Sequence, residues 1–184
     1  FMAQRAESRG TGFEAQSSML ASLSGLEEEY FTPCSISGAQ GEYTITPQAS
    51  GPCYMLIENA PYIGGQIYFD GQYKGDYFTS ETCCILYLGE LEAGQSSILS
   101  VRASSKDYAQ PQVCTLNTQS LLKALEILAQ GGLEIEAYGA NYIKGSVDAQ
   151  QDGMFFSSIP YDKGFSVLID GKRAESFAGF DTFL

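Results

Sequence analysis

Two stretches of this chain repeat one pattern, and that repetition limits the fold more than any other feature. Met55 to Gly71 reads MLIENAPYIGGQIYFDG, and Met154 to Gly171 reads MFFSSIPYDKGFSVLIDG. Met55, Pro61, Tyr62 and Gly65 stand at a constant offset before Met154, Pro160, Tyr161 and Gly164, and one extra residue precedes the second Asp-Gly. The shared order is strand, Pro-Tyr loop with Gly, strand, Asp-Gly turn, strand. A repeated supersecondary unit of this kind implies two copies of one β module. The first copy runs on through Ile85 to Leu88, an Ala-Gly turn and the strand Ser96 to Val101, whereas the second reaches only Phe183-Leu184. The expectation is a polypeptide that continues through a Gly turn and one edge-pairing strand, since a sheet without it exposes an edge.

Around the repeat, hydrophobic periodicity assigns the remaining elements. Glu14 to Leu23 sets Leu20 and Leu23 on one side with Gly25 in the stopping position, which predicts a short helix against a sheet. At Glu42 the period becomes two, with Tyr43 and Ile45 alternating with Thr44 and Thr46; Cys53 to Glu58 is expected as the neighbouring strand. Gln66 to Phe69, Asp70-Gly71, then Gln72 and Tyr73 predict a two-residue hairpin, because a type I′ turn needs positive φ at both central residues. Cys83 to Leu88 and Ser96 to Val101 are expected to pair across Ala93-Gly94. Thr118 to Gln130 carries Leu121, Leu122, Leu125 and Leu128 at helical spacing before Gly131-Gly132; burial at about 1.5 to 3 kcal/mol per leucine would dock this helix firmly. Strands are expected again at Leu133 to Tyr138, Tyr142 to Ala149, Met154 to Ile159 and Phe165 to Asp170. The fold expected is mainly β: an antiparallel β-sandwich, jelly-roll-like, with two short helices and an internal duplication. It forms one domain over residues 1–184, with halves at about 42–104 and 133–184 joined by the helical connection 118–130.

Composition narrows the function classes. With 12 Tyr and 11 Phe but no Trp or His, the aromatic usage favours strands. A formal net charge of -12 would repel phosphate backbones and anionic lipid faces, so no nucleic-acid partner is expected. Without His there is no Ser-His-Asp or Cys-His arrangement, and zinc loses its commonest neutral ligand. Five cysteines occur without a C-x-x-C pair. They read as buried thiols acting as small hydrophobes, with a bridge from Cys53 to Cys83 or Cys84 as the alternative in an oxidising compartment. No run reaches the roughly 18 apolar residues of a membrane span, and FMAQRAESRG lacks a signal-peptide core, so the segment is read as soluble and excised from a larger protein.

Few patterns carry chemistry. Glu134 and Glu136 share a strand face about 6 to 7 Å apart, the spacing of a glycosidase carboxylate pair, but alternation with Leu133, Ile135 and Ala137 explains them as a solvated face. Asp148, Asp152 and Gly153 lack the alternating oxygens of a calcium loop and read as a polar turn. No catalytic, metal or cofactor residue is expected. The loop Pro160 to Gly164 combines an aromatic plate, a carboxylate and an amine, so Tyr161, Asp162 and Lys163, with Tyr62 from the first copy, are the candidate ligand contacts. The alternative is that Pro and Gly shape the connection and Tyr packs on the sheet.

The run SIPYDKGFSVLIDGK, Ser158 to Lys172, resembles the C-terminal extracytoplasmic region of YfhO-like bacterial membrane proteins, where Phe165 stands in place of a usual Trp. Phe13 to Gly25, similar to the helix that opens that region, and Leu88 to Gly94 with its following strand fit the same resemblance. It implies a domain on the outer face of a polytopic membrane protein that looks like a glycosyltransferase of the lipid-phosphate-sugar-using class, decorating polymers such as lipoteichoic acid. Catalytic carboxylates of that class belong to membrane-proximal loops, so none is carried over. The implied partners are the membrane-embedded part of the same polypeptide and a cell-surface glycopolymer. A stand-alone carbohydrate-binding β-sandwich and a purely structural or dimerising domain are the alternatives.

Overall fold

The computed structural model describes residues 10, 12–58, 64–78, 85–105, 107–149 and 155–180. The chain divides into two compact units: residues 28–122 with 11–17, and residues 123–184 with 18–27 and 1–10. The first repeat stretch belongs to the former and the second to the latter.

Among the described residues the first unit holds nine strands: β1 (Phe31–Pro33), β2 (Ser35–Ala39), β3 (Glu42–Thr46), β4 (Gly51–Leu56), β5 (Gly65–Phe69), β6 (Gln72–Tyr77), β7 (Leu86–Leu91), β8 (Ser97–Ala103) and β9 (Gln112–Leu116). They form two sheets, ordered β1-β9-β4-β7 and β2-β3-β8-β5-β6. With β2 set aside as an added edge and the rest numbered one to eight along the chain, the sheets run 1-8-3-6 and 2-7-4-5. That is the jelly-roll order. Inward-facing residues supply the core: Tyr43 and Ile45, Cys53 and Met55, Ile67 and Phe69, Leu88 and Leu91, Leu99 and Val101 and Val113 are buried in one cluster drawn from both sheets. At about 1.5 to 3 kcal/mol per large apolar side chain, this cluster dominates the unit's stability.

A jelly roll sends successive strands to opposite sheets, and that overturns two expected pairings. The strand after Tyr43 and Ile45 is not its neighbour: β4 pairs with β7 and β9, while β3 pairs with β2 and β8. Likewise β7 and β8, joined by the Gly94 turn, lie in different sheets. The Asp70-Gly71 hairpin forms as expected, with φ of 47° and 77° at its central residues and Phe69 opposite Gln72. Cys83 and Cys84, expected to begin a strand, lie outside the described residues. Cys53 is a free thiol, as are Cys34 and Cys114.

Helix α1 (Gly12–Ser24) spans parts of both units. Within the first unit its Phe13 is buried with Leu56 and Cys114 and meets the Phe31 ring at 5.0 Å, on the four-stranded sheet. Its end is the expected left-handed glycine cap, Gly25 at φ 72° with its N–H donating to the Ala21 carbonyl at 2.9 Å.

The second unit is sparser. After α2 (Thr118–Ala129), begun by Asn117 accepting from the Ser120 N–H at 3.1 Å, come β10 (Glu134–Gly139), β11 (Tyr142–Ser146), β12 (Leu168–Ile169) and β13 (Lys172–Arg173). They form two separate hairpins, β10-β11 and β12-β13. The Asp170-Gly171 turn has φ of 51° and 75°, matching its counterpart in the first unit. Three expectations are corrected. The leucine stripe of α2 is not its buried side: Leu122, Leu125 and Leu128 are exposed and Ala124 is buried. The expected strand from Met154 to Ile159 does not form over residues 155–158, and Phe165 to Asp170 is a strand only at Leu168–Ile169. A strand extends only as far as its ladder, and among the described residues Leu168–Ile169 pairs with Lys172–Arg173 alone.

Candidate functional site

Outward positions of the five-stranded sheet converge on an aromatic and charged row. In β5, Ile67 and Phe69 point to the core, so Gln66 and Tyr68 point away from it. Register then aligns Glu42, Ser100, Tyr68 and Tyr73 across β3, β8, β5 and β6, and beside them Arg102, Gln66 and Asp76 across β8, β5 and β6. The Arg102 guanidinium lies over the Tyr68 ring at 4.1 Å from its centroid, and the Tyr73 ring meets Tyr68 edge-on at 5.7 Å. Tyr68 donates its hydroxyl proton to Gln66 Oε1 at 3.0 Å, and Ser100 donates to Glu42 Oε2 at 2.9 Å. The Asp76 carboxylate, hydrogen-bonded to the Tyr73 phenol, holds that phenol above its ordinary pKa. The result is a platform of two tyrosine rings, one fixed cation, two carboxylates and one amide at the sheet surface. Such a surface can stack on the face of a ring and hydrogen-bond polar groups at its edge. Nothing in it is arranged for nucleophilic or acid-base work.

This row was missed by motif reading. The signal was present in the alternation of Tyr68 with Ile67 and Phe69, but locating Arg102 beside it requires the β5-β8 register, which joins residues far apart in sequence.

The candidate contacts from the repeat fare differently. Tyr161 is half-buried, and Asp162 and Lys163 are exposed. Asp162 shapes its own loop: its Oδ1 accepts from the Gly164 N–H at 2.6 Å and its carbonyl from the Phe165 N–H at 3.0 Å. Lys163 stands free of that turn's hydrogen bonds. Tyr62 lies outside the described residues. Glu136 is paired with Lys144 at 2.9 Å on an exposed strand face, which raises the lysine's pKa, as suits a solvated face rather than a catalytic pair. A cleft of about 320 Å³ in the first unit is lined by Thr32, Ser50, Thr115 and Asn117, and its Ser50 is already engaged, donating to Glu92 at 2.9 Å.

The three described thiols, Cys34, Cys53 and Cys114, all lie in the first unit. Cys53 is buried, and its pKa is raised by the neighbouring Cys34 and by desolvation, while burial pushes Cys114 up to about 12. Cys34 is lowered through its hydrogen bond with Cys53.

Among the described residues no helix is long and apolar enough to cross a membrane. The family model described as bacterial membrane protein YfhO matches residues 13–184. No curated protein and no solved structure matches the chain.

Proposed function

The chain belongs to the YfhO family of bacterial membrane proteins, and from that premise we propose that it is an extracytoplasmic accessory domain that holds an acceptor glycopolymer beside a membrane-embedded glycosyltransferase. The observation that supports this reading is the Tyr68, Tyr73 and Arg102 platform, an exposed ring-stacking surface on an otherwise complete jelly roll. With a net charge of -12, the domain does not gather a polyphosphate by its overall field; contact is through sugar rings, with Arg102 as a single local cation. Tyr161, Asp162 and Lys163 form the second contact, on the repeat loop. Catalysis is assigned to the membrane part, and this domain contributes position.

Titration of the domain with lipoteichoic-acid fragments and with neutral cell-wall glycans, read by nuclear magnetic resonance, tests the reading. Shifts confined to Tyr68, Tyr73, Gln66 and Arg102 or to Tyr161 to Lys163 are expected. Tyr73→Ala together with Arg102→Ala should weaken binding by at least about tenfold, equivalent to about 1.4 kcal/mol. No shift with any glycan would favour a purely structural domain.

A further inference from the structure

The two hairpins of the second unit place their basic residues differently. In β10-β11 the lysine, Lys144, is tied to Glu136 at 2.9 Å, and Glu134 lies on the same strand as Glu136. In β12-β13 Lys172 and Arg173 follow one another, and among the described residues neither forms an ion pair. The register sets each against an aliphatic side chain: Ile169 opposite Lys172, and Leu168 opposite Arg173. Directly paired residues share a face and successive residues alternate, so one face of the ladder carries Ile169 with Lys172 and the other carries Leu168 with Arg173.

Exposure rises toward the turn of this hairpin. Val167 and Ala174, joined by the Ala174 N–H donating to the Val167 carbonyl at 3.0 Å, are half-buried. Every residue from Leu168 to Arg173 is exposed, Leu168 by 64% and Ile169 by 59%. Asp170 and Gly171, at φ of 51° and 75°, close the strands with a two-residue turn, so the tip is a fixed projection with an aliphatic group on each side. A two-rung ladder is too narrow for a stable protein interface, whose core is broad and depleted of charge. The same pairing matches the boundary of a bilayer. There an aliphatic side chain enters the acyl region while the Lys or Arg beside it stretches its methylenes and keeps its charge at the level of the phosphates.

We propose that the β12-β13 tip is a lipid-docking element, with Leu168 and Ile169 entering the interface of a bilayer and Lys172 and Arg173 at its phosphates. The chain belongs to a family of membrane proteins, and a bilayer is the apolar surface consistent with that family. Asp170 in the turn and Glu175 beyond the ladder offset the two cations, and the chain's net charge of -12 opposes an anionic surface at long range. Attraction is therefore local, acting within the roughly 8 Å over which charges are felt at physiological ionic strength, and it works together with apolar insertion. Two aliphatic side chains give reversible binding, which suits orienting a domain rather than anchoring it.

Flotation of the 184-residue chain with vesicles of phosphatidylglycerol and phosphatidylcholine in equal parts tests this, together with nuclear magnetic resonance on the same vesicles carrying a spin-labelled lipid. Line broadening should centre on Leu168, Ile169, Lys172 and Arg173 and spare β8. Leu168→Ser combined with Ile169→Ser should lower the vesicle-bound fraction by at least about tenfold. Lys172→Gln and Arg173→Gln should each lower it roughly fivefold. In all of these variants the β8 amide shifts should match the parent chain, since the substituted side chains are exposed. Ile135→Ser, on the other hairpin, should leave binding unchanged, and free glycerol phosphate should shift no resonance of the tip. No binding to the vesicles, broadening centred on Ile135 and Ile143, or an equal loss from Ile135→Ser would overturn the inference. So would tip shifts with free glycerol phosphate as large as those with vesicles. Tip shifts that grow with protein concentration in the absence of lipid, alongside a dimer mass, would also overturn it, because the occupant would then be a second copy.

Discussion

The first unit places Tyr43, Ile45 and Phe69 in a closed core, while the second unit, written in the same pattern, leaves Ile143 and Ile169 in solvent. Local sequence is comparable in the two: both carry a two-residue hairpin, an Asp-Gly turn with positive φ, and alternating apolar residues. The difference lies in ladder partners distant along the chain. A strand segment is stable when both flanks and one face are occupied, and its composition alone does not supply those.

The comparison breaks most visibly in the cores. Ile45→Ala or Leu99→Ala should cost about 2 to 5 kcal/mol in urea unfolding, because each side chain is fully buried between two sheets. In the 184-residue chain Ile143→Ala should change the same transition by no more than about 0.5 kcal/mol. Similar losses at the two sites would mean that the second unit already has a closed core.

Alkali should discriminate next. Cys114, pushed up to about 12, stays protonated in the folded first unit where an unfolded thiol ionises near 9. Its contribution is fully present below pH 9 and is lost as pH rises through the folded value, and the raised pKa of Cys53 acts in the same direction. Thermal melts of the first unit should fall between pH 9 and 12, and Cys114→Ala should flatten that fall. A hairpin probe in the second unit, which has no cysteine, should show no such slope from thiols.

The smallest expected effect is at the matched turns. Gly71 and Gly171 hold φ of 77° and 75°, so alanine strains each equally in conformation. Gly71→Ala should lower the global transition by about 1 kcal/mol, and Gly171→Ala should leave it unchanged while loosening β12-β13 locally, visible as faster exchange at Lys172. Equal global effects would show that the two units unfold together.

Much of the first unit was legible from sequence. Alternation found Tyr43 and Ile45, and the Asp70-Gly71 dipeptide fixed its turn; outside that unit, Gly25 ended α1 where expected. Pairing was not legible: the jelly roll sends β4 and β8 to sheets their sequence neighbours do not share, and hairpin logic counts only neighbours. The short strands β1 and β2 escaped because Phe31–Pro33 and Ser35–Ala39 carry a proline and small residues, which have no strong period, and β9 escaped because Val113, Cys114 and Thr115 are buried in succession without alternation. In α2, Leu122 and Leu128 stand at the spacing expected of a buried stripe yet are exposed, because periodicity identifies an apolar face without supplying anything to cover it. Of the site, Tyr161 to Lys163 stood out as a motif, whereas the Tyr68 and Arg102 contact depends on register between strands that no local pattern records.

The pairing of β1 with β9 has a mechanical meaning. Phe31 lies opposite Leu116 and Pro33 opposite Cys114, and the Asn117 N–H donates to the Tyr30 carbonyl at 2.8 Å, so the chain enters β1 and leaves β9 at one point. A tug on its two ends loads that short antiparallel ladder like a zipper, one rung at a time, rather than shearing all rungs together. Tension along the polypeptide would thus peel β1 away first and spare the sheet that carries Tyr68, Tyr73 and Arg102.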